Sequence, residues 1–235
     1  METTADRYRR LAAAFGATVA AVPDDAWTDP TPCGDWSARE LVRHVVDSQN
    51  LFFGLVGKPP VAAPSVDDDP SGAWANTSDA VLADLLDPVA STTAFDGFFG
   101  RTTFAEAVDR FLCLDLVVHR WDLATATGLD ASIPDDDVAM VMAGAERFGD
   151  TLRSPGAFGE AVEAPEDADA QTLMLAFLGR RARDSVVGPH AAAAPGHPGA
   201  APDQGRGQPA GAGAIISTIS STNERCEAST FSAKS

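Results

Sequence analysis

The sequence has few cysteines, and they lie far apart. Cys33, Cys113 and Cys226 are the three among 235 residues. Three scattered thiols exclude a disulfide framework and a cysteine-based zinc site. An odd number of isolated thiols is typical of proteins kept in a reducing compartment. We therefore expect a cytoplasmic protein.

Basic side chains are also scarce. Lysine and arginine number 17 against 34 aspartate and glutamate residues, which gives a formal net charge of -17. An acidic surface of this kind repels phosphate backbones and anionic lipids, so we expect neither nucleic acid nor a membrane as a partner. No segment approaches the ~18 apolar residues of a membrane-spanning helix, and the first residues do not resemble a targeting segment.

The composition changes sharply after Asp184. Residues 185–235 are rich in glycine, proline and alanine and end in a stretch rich in serine and threonine. Such a segment has too little hydrophobic mass to offset the entropy that ordering would cost. We expect one folded domain over residues 1–184 and a disordered low-complexity tail over residues 185–235. His190 and His197 fall in this tail and are discounted as ligands.

Helical periodicity dominates the first 184 residues, and no run of useful length alternates in the way a strand does. Two capping boxes mark helix starts, at Ser37 with Glu40 and at Thr103 with Glu106, and Gly128 marks a helix end. These signals predict an all-α four-helix bundle with a long crossover at 59–72 and additional C-terminal helices. The predicted helices span residues 4–22, 37 to the glycines at 54–57, 78–89, 103–127, 134–152 and 170–179.

Three polar side chains fall on faces that the periodicity predicts to be inward. His44 lies on the second helix, whereas Asp115 and His119 are four residues apart on the fourth and therefore share one face. A divalent cation held between them would explain why two imidazoles and a carboxylate are buried. Two structural alternatives stay open, because His44 alone is typical of a satisfied core histidine, and Asp115 with His119 of a buried hydrogen bond. On the residues alone, metal binding and these alternatives are evenly balanced.

Other polar and aromatic residues lie near these positions in the sequence. Asp122 is interpreted either as an acceptor that supports a metal ligand or as a structural partner of Arg120 or Arg43. Cys33, in the loop before the second helix, is interpreted as a structural cysteine rather than a thiol near the site. Trp36 is interpreted as a hydrophobic staple at the start of that helix.

Three segments of the chain resemble a known family. They read TPCGDWSARELVRHVVD, DLVVHRWDLATATG and PGAFGEAV with LMLAFLGR, in this order, between about Thr3 and Arg181. They are similar to the metal-binding N-terminal domain of mycothiol-dependent maleylpyruvate isomerase, in the DinB-like superfamily, and to actinobacterial proteins described only as metal-binding. The resemblance implies that His44, Asp115 and His119 hold one divalent metal. Imidazole nitrogens and a carboxylate oxygen suit zinc, nickel, iron or manganese, and we expect zinc. The family's acid is a glutamate, so Asp115 is shorter by one methylene.

The resemblance also implies a class of chemistry. In related proteins a metal binds the thiol of a low-molecular-weight cofactor and lowers its pKa, so that a thiolate attacks an electrophile. Because the isomerase's compact C-terminal domain has no counterpart here, maleylpyruvate isomerisation is not implied. The expected function is a mycothiol-dependent transferase or isomerase acting on a small electrophile, with no catalytic residue assigned. The alternatives are a non-catalytic metal-binding or stress-response bundle and a bundle that has lost its metal; a homodimer stays open.

Overall fold

The computed structural model describes residues 2–33, 36–97, 99–153 and 158–181. The predicted disordered tail, residues 185–235, lies outside these ranges. Within them the chain is mostly helical, and the predicted all-α class is confirmed apart from one short hairpin. The elements, in chain order, are α1 (Thr4–Ala21), α2 (Ala38–Leu55), α3 (Pro70–Leu86), α4 (Pro88–Ser91), β1 (Ala94–Gly97), β2 (Gly100–Thr103), α5 (Phe104–Ala107), a π-helical turn (Val108–Leu112), α6 (Cys113–Thr127), α7 (Asp135–Phe148), a 3-10 turn (Gly149–Arg153) and α8 (Ala170–Phe177).

Four helices form the bundle. α1 packs against α3 and α6, and α2 packs against the same two helices. Their facing sides share one apolar core, whose largest fully buried side chains include Tyr8, Phe15, Leu41 and Leu116. The core therefore lies between the helix that carries His44 and the helix that carries Asp115 and His119.

Local capping explains why these helices begin and end where they do. The Ser37 side chain accepts a hydrogen bond from the backbone N–H of Glu40, whose carboxylate accepts one from the backbone of Ser37. Thr103 and Glu106 form the same reciprocal pair at the start of α5. Gly128 ends α6 with a φ of 71°, in the left-handed region that favours glycine. The two predicted capping boxes and this helix end are confirmed.

Two predictions on secondary structure are wrong. The third helix begins at Pro70, eight residues before the predicted Ser78, because Asp69 caps it and proline is favoured in a first turn. It also ends at Leu86, after which Pro88 starts a separate single turn. The expectation that no strand is present fails at β1 and β2, which pair as an antiparallel hairpin. Strands of four residues are too short for their alternation to be recognised in the sequence.

The predicted fourth helix is continuous but not uniform. α5, the π-helical turn and α6 follow one another without a break from Phe104 to Thr127. π-helical turns are rare and often occur at functional sites. This turn lies directly before the segment that carries Asp115.

The C-terminal part folds back onto the bundle. α7 packs against α6 and α8, and it ends at Phe148 before the 3-10 turn, slightly earlier than predicted. α8 is followed by Gly179, which has a positive φ of 80° and turns the chain toward Arg180. None of the described helices is both long enough and apolar enough to cross a membrane.

Candidate metal centre

The structure brings the three predicted ligand residues together. One nitrogen each of His44 and His119 and one carboxylate oxygen of Asp115 lie within 4.8 Å of one another. α2 supplies the first imidazole, and α6 supplies the other two groups from adjacent turns of one face. That this cluster holds a metal remains a prediction.

His119 lies between two carboxylates. Its Nε2 is 3.2 Å from Oδ1 of Asp115, and its Nδ1 is 3.0 Å from Oδ2 of Asp122. Burial lowers the pKa of His119, but the charge of Asp115 and the hydrogen bonds to both carboxylates outweigh it and hold the pKa well above its ordinary value. In the metal-free protein the raised pKa favours the charged form of this ring, which lies between the two carboxylates.

His44 and the second oxygen of Asp115 are in a different state. Nδ1 of His44 and Oδ2 of Asp115 are buried atoms without a hydrogen-bond partner. Burial lowers the pKa of His44 from 6.5 to about 4, so its imidazole is neutral at pH 7. Burial raises the pKa of Asp115, but His119 lowers it more strongly, so the carboxylate is charged. A neutral imidazole and a charged carboxylate are the forms that bind a metal.

A buried ion pair supports the far side of His119. Oδ2 of Asp122 accepts a hydrogen bond from Nη2 of Arg180 at 3.1 Å, and the two side chains are 0% and 7% exposed. Arg180 also donates to the carbonyl of Leu178 at 3.0 Å, and its guanidinium lies 5.1 Å from the ring centre of Phe158. The network holds Asp122, and Asp122 holds the ring of His119 in place.

This network decides between the two interpretations of Asp122. The residue accepts a hydrogen bond from a candidate ligand, as the first interpretation predicted. The predicted pairing with Arg120 or Arg43 is wrong, because Arg120 donates to the carbonyls of Asp130 and Ser132. Arg43 pairs instead with the carboxylate of Asp67.

Arg180 is the residue that the sequence analysis missed. It lies 58 positions from Asp122 in the chain, so no helical spacing connects the two. The available signal was its place at the end of LMLAFLGR, where a charged residue closes an apolar run within the segment that resembles the family.

Cys33 and Trp36 both lie closer to the site than predicted. Cys33 is half-buried and packs against the core, but its Sγ lies within 4.8 Å of ligand atoms of His119 and Asp122, so the expectation that it is not a thiol near the site is wrong. Burial raises the pKa of the Cys33 thiol, which stays protonated at pH 7. The Trp36 ring centre is 4.5 Å from that of His44. The predicted staple therefore also packs against a candidate ligand.

Two histidines and a carboxylate on facing helices form the candidate metal centre of this bundle. A comparison of sequences relates the segment that carries them to a known family. Residues 8–124 match the family described as the mycothiol maleylpyruvate isomerase N-terminal domain. Over that segment, which contains all three candidate ligands, the chain is similar to this family.

Relatives in Mycobacterium tuberculosis extend the likeness beyond this domain. Two uncharacterized proteins, from strains CDC 1551 / Oshkosh and ATCC 25618 / H37Rv, are each 28% identical to the chain over 178 residues. The alignment covers 75% of this chain and 97% of each relative. No solved structure matches the chain significantly.

Proposed function

We propose that the protein binds one divalent cation between His44, Asp115 and His119, and that zinc is preferred over nickel, iron or manganese. One observation carries the proposal: among the described residues, two of the three buried side-chain atoms without a hydrogen-bond partner, Nδ1 of His44 and Oδ2 of Asp115, belong to residues of the cluster. Leaving a buried polar atom without a partner costs about 1–3 kcal/mol, so two together need a compensating interaction. A cation coordinated by these residues would supply it.

The donor set fits such an ion. Two imidazole nitrogens and a carboxylate oxygen are ligands that zinc accepts, and ligand atoms around tetrahedral zinc lie about 3.3 Å apart. The 3.2 Å between Nε2 of His119 and Oδ1 of Asp115 already matches this spacing. Three protein ligands leave a coordination position open, and the Asp115 side chain is 24% exposed, so a small molecule can approach.

The family supports a thiol as the molecule that approaches. A bound divalent cation lowers the pKa of a thiol that reaches it, because the deprotonated sulfur is the better ligand. Around this position, Asp122 orients His119 and Trp36 packs against His44. The proposed function is a mycothiol-dependent transferase or isomerase in which the thiol loses its proton to solvent and its sulfur attacks a small electrophile.

Two observations favour other candidates. Cys33 lies beside His119, and if its sulfur became a fourth ligand the closed site would favour a non-catalytic metal-binding or stress-response bundle. His119 also has a partner on each nitrogen without a cation, which favours a bundle that has lost its metal. The hypothesis of a bundle that has lost its metal leaves the unpaired atoms of His44 and Asp115 unexplained.

Elemental analysis followed by thiol titration tests the proposal. We expect about one divalent metal per chain after dialysis, and its loss in His44→Ala and Asp115→Asn. Asp109→Asn, on the same continuous helix and paired with Arg7 outside the cluster, should keep the metal. Full metal occupancy in both site variants would overturn the assignment.

Calorimetry with mycothiol then separates the thiol-dependent function from metal binding alone. In buffers of different ionisation enthalpy, the metal-loaded protein should release close to one proton on binding mycothiol. If the metal is present but mycothiol does not bind, or binds equally well after the metal is stripped, the non-catalytic alternative is the better one.

A further inference from the structure

A cavity whose lining includes none of the candidate metal ligands lies between the hairpin, the end of α2 and the π-helical turn. Its volume is about 170 Å³. Four aromatic and two basic side chains dominate its lining: Phe52, Phe95, Phe99, Phe111, Arg101 and Arg110. We call this cavity the aryl pocket.

The aromatic walls set the size and shape of a ligand. The rings of Phe99 and Phe111 are nearly parallel, at 14°, with centres 6.1 Å apart. Phe52 meets Phe111 edge-on, with centres 6.0 Å apart. An apolar cavity of about 150 Å³ is known to hold benzene, whereas drug-sized ligands need about 300 Å³ or more. The aryl pocket therefore fits one six-membered ring.

The charges around the pocket select an anion. Among its described lining residues the acid is Glu106, whose carboxylate accepts hydrogen bonds from the backbone of Thr103 and the hydroxyl of Thr102. Arg110 places its guanidinium 5.6 Å from the ring centre of Phe99. Nη1 of Arg101 lies 3.8 Å from Oδ1 of the exposed Asp96, and an ion pair exposed to water in this way is weak. The lining is thus locally basic in a chain of net charge -17.

We propose that the aryl pocket binds a monocyclic aromatic carboxylate, with its ring packed against the phenylalanines that line the pocket and its carboxylate on Arg110 and Arg101. The π-helical turn supplies both Arg110 and Phe111, so one local irregularity presents a charged and an apolar contact together. Phe111 precedes Asp115 by four residues, which places the pocket about one helical turn from the candidate metal centre. Binding in the pocket does not require the metal.

Amide chemical shifts of the full, metal-stripped chain test this proposal with benzoate as the probe. Benzoate should shift the amide signals of Gly97, Gly100, Thr102 and Ala107, which line the pocket. Benzamide has the same shape without the charge and should bind about tenfold more weakly, the factor that one charge-assisted hydrogen bond supplies. Hexanoate, which has the charge without the ring, should also bind more weakly.

Matched arginine variants assign the charge contact. Arg110→Gln should weaken benzoate about tenfold and leave benzamide unchanged, and Arg110→Lys should restore part of the difference. Arg9→Gln removes an exposed guanidinium on α1, away from the pocket, and should have no effect.

Three results would overturn the proposal. The first is equal binding of benzoate and benzamide, which removes the role of the arginines. The second is tighter binding of hexanoate, which makes the occupant an acyl chain. The third is loss of benzoate binding in His44→Ala, which places the ligand at the metal centre instead.

Discussion

The two sides of His119 are built differently. On the side of Asp122 and Arg180, the charged groups are almost fully buried, and they pair with one another. On the side of Asp115 and His44, two buried polar atoms have no partner, and the Asp115 side chain as a whole is 24% exposed. We refer to these as the support side and the ligand side.

The difference separates a structural network from a binding site. A buried charge network is stable only when its members are satisfied, and the support side meets this condition within the chain. The ligand side does not, although its Asp115 and the support side's Asp122 lie on adjacent turns of α6 on either side of His119. The support side therefore holds the geometry, and the ligand side is where something from outside the chain is needed.

The strongest test of this comparison is to remove one acid from each side in metal-free protein. Asp122→Ala leaves the guanidinium of Arg180 buried and unpaired, and should lower the free energy of unfolding by about 3–5 kcal/mol. Asp115→Ala removes an unpaired oxygen but also the partner of Nε2 of His119, which keeps Asp122 on its other nitrogen, and should cost less, about 1–3 kcal/mol. Urea denaturation followed by circular dichroism measures both. Equal losses would abolish the distinction between the two sides.

The pH dependence of the metal-free protein should show the two sides separately. The pKa of His44 falls from 6.5 to about 4 on folding, so the unfolded chain takes up a proton first as the pH drops. Above pH 6.5 this shift contributes about 3 kcal/mol to the free energy of unfolding, because each pKa unit corresponds to about 1.4 kcal/mol. The contribution should be lost as the pH falls from 6.5 to 4.

His119 should act in the opposite direction. Its pKa is raised by folding, so its contribution is complete below pH 6.5 and declines as the pH rises toward the folded value. Urea unfolding between pH 4 and 9 measures both limbs. His44→Phe should flatten the acid limb and leave the alkaline limb, and an unchanged acid limb would contradict the assignment.

Zinc should stabilise the protein only through the ligand side. At a free concentration about 100 times its Kd, it should add about 2.7 kcal/mol to the free energy of unfolding. His44→Ala should lose this gain, whereas Asp47→Asn, on the same helix, should keep it. An equal gain in His44→Ala would mean that zinc binds elsewhere on the acidic surface.

The smallest effect is expected from the end of the chain. A chain ending at residue 184 should melt within about 2 °C of the full chain, because the composition of residues 185–235 does not support packing. A chain ending at residue 179 lacks Arg180 and leaves the buried Asp122 with His119 as its remaining partner, so its melting temperature should fall clearly further. Melting followed by circular dichroism compares the three chains, and equal melting of the two shorter ones would contradict the role of Arg180.

Local signals explain what the sequence could predict. The capping boxes at Ser37 and Thr103 join groups three residues apart, and His119 follows Asp115 by four, so helical geometry alone relates these residues. His44 could be predicted to lie in the same cluster because a helix bundle has only a few ways to pack its inward faces together. The fold and the grouping of the ligand-side residues could therefore be predicted from the sequence.

Long-range contacts explain what it could not predict. Arg180 meets Asp122 only after the chain folds back past α7 and α8. The hairpin has four residues in each strand, and its cavity exists only once Phe95 and Phe99 lie against α2 and the π-helical turn. Hydrophobic periodicity in the sequence does not reveal such contacts, so only the structure shows the support side and the aryl pocket.

The π-helical turn also has a consequence for the angular phase of the long helix. Each residue of an α-helix advances about 100° around its axis, and a π-helical turn holds one residue more than an α-helical turn. Residues before Val108 and after Leu112 are therefore out of step with an uninterrupted helix by about that angle. Deleting one residue within the turn would rotate the Thr103 end of the helix, with its hairpin, relative to His119. The extra residue therefore sets the orientation of the hairpin around the helix axis relative to His119, a residue of the candidate metal centre.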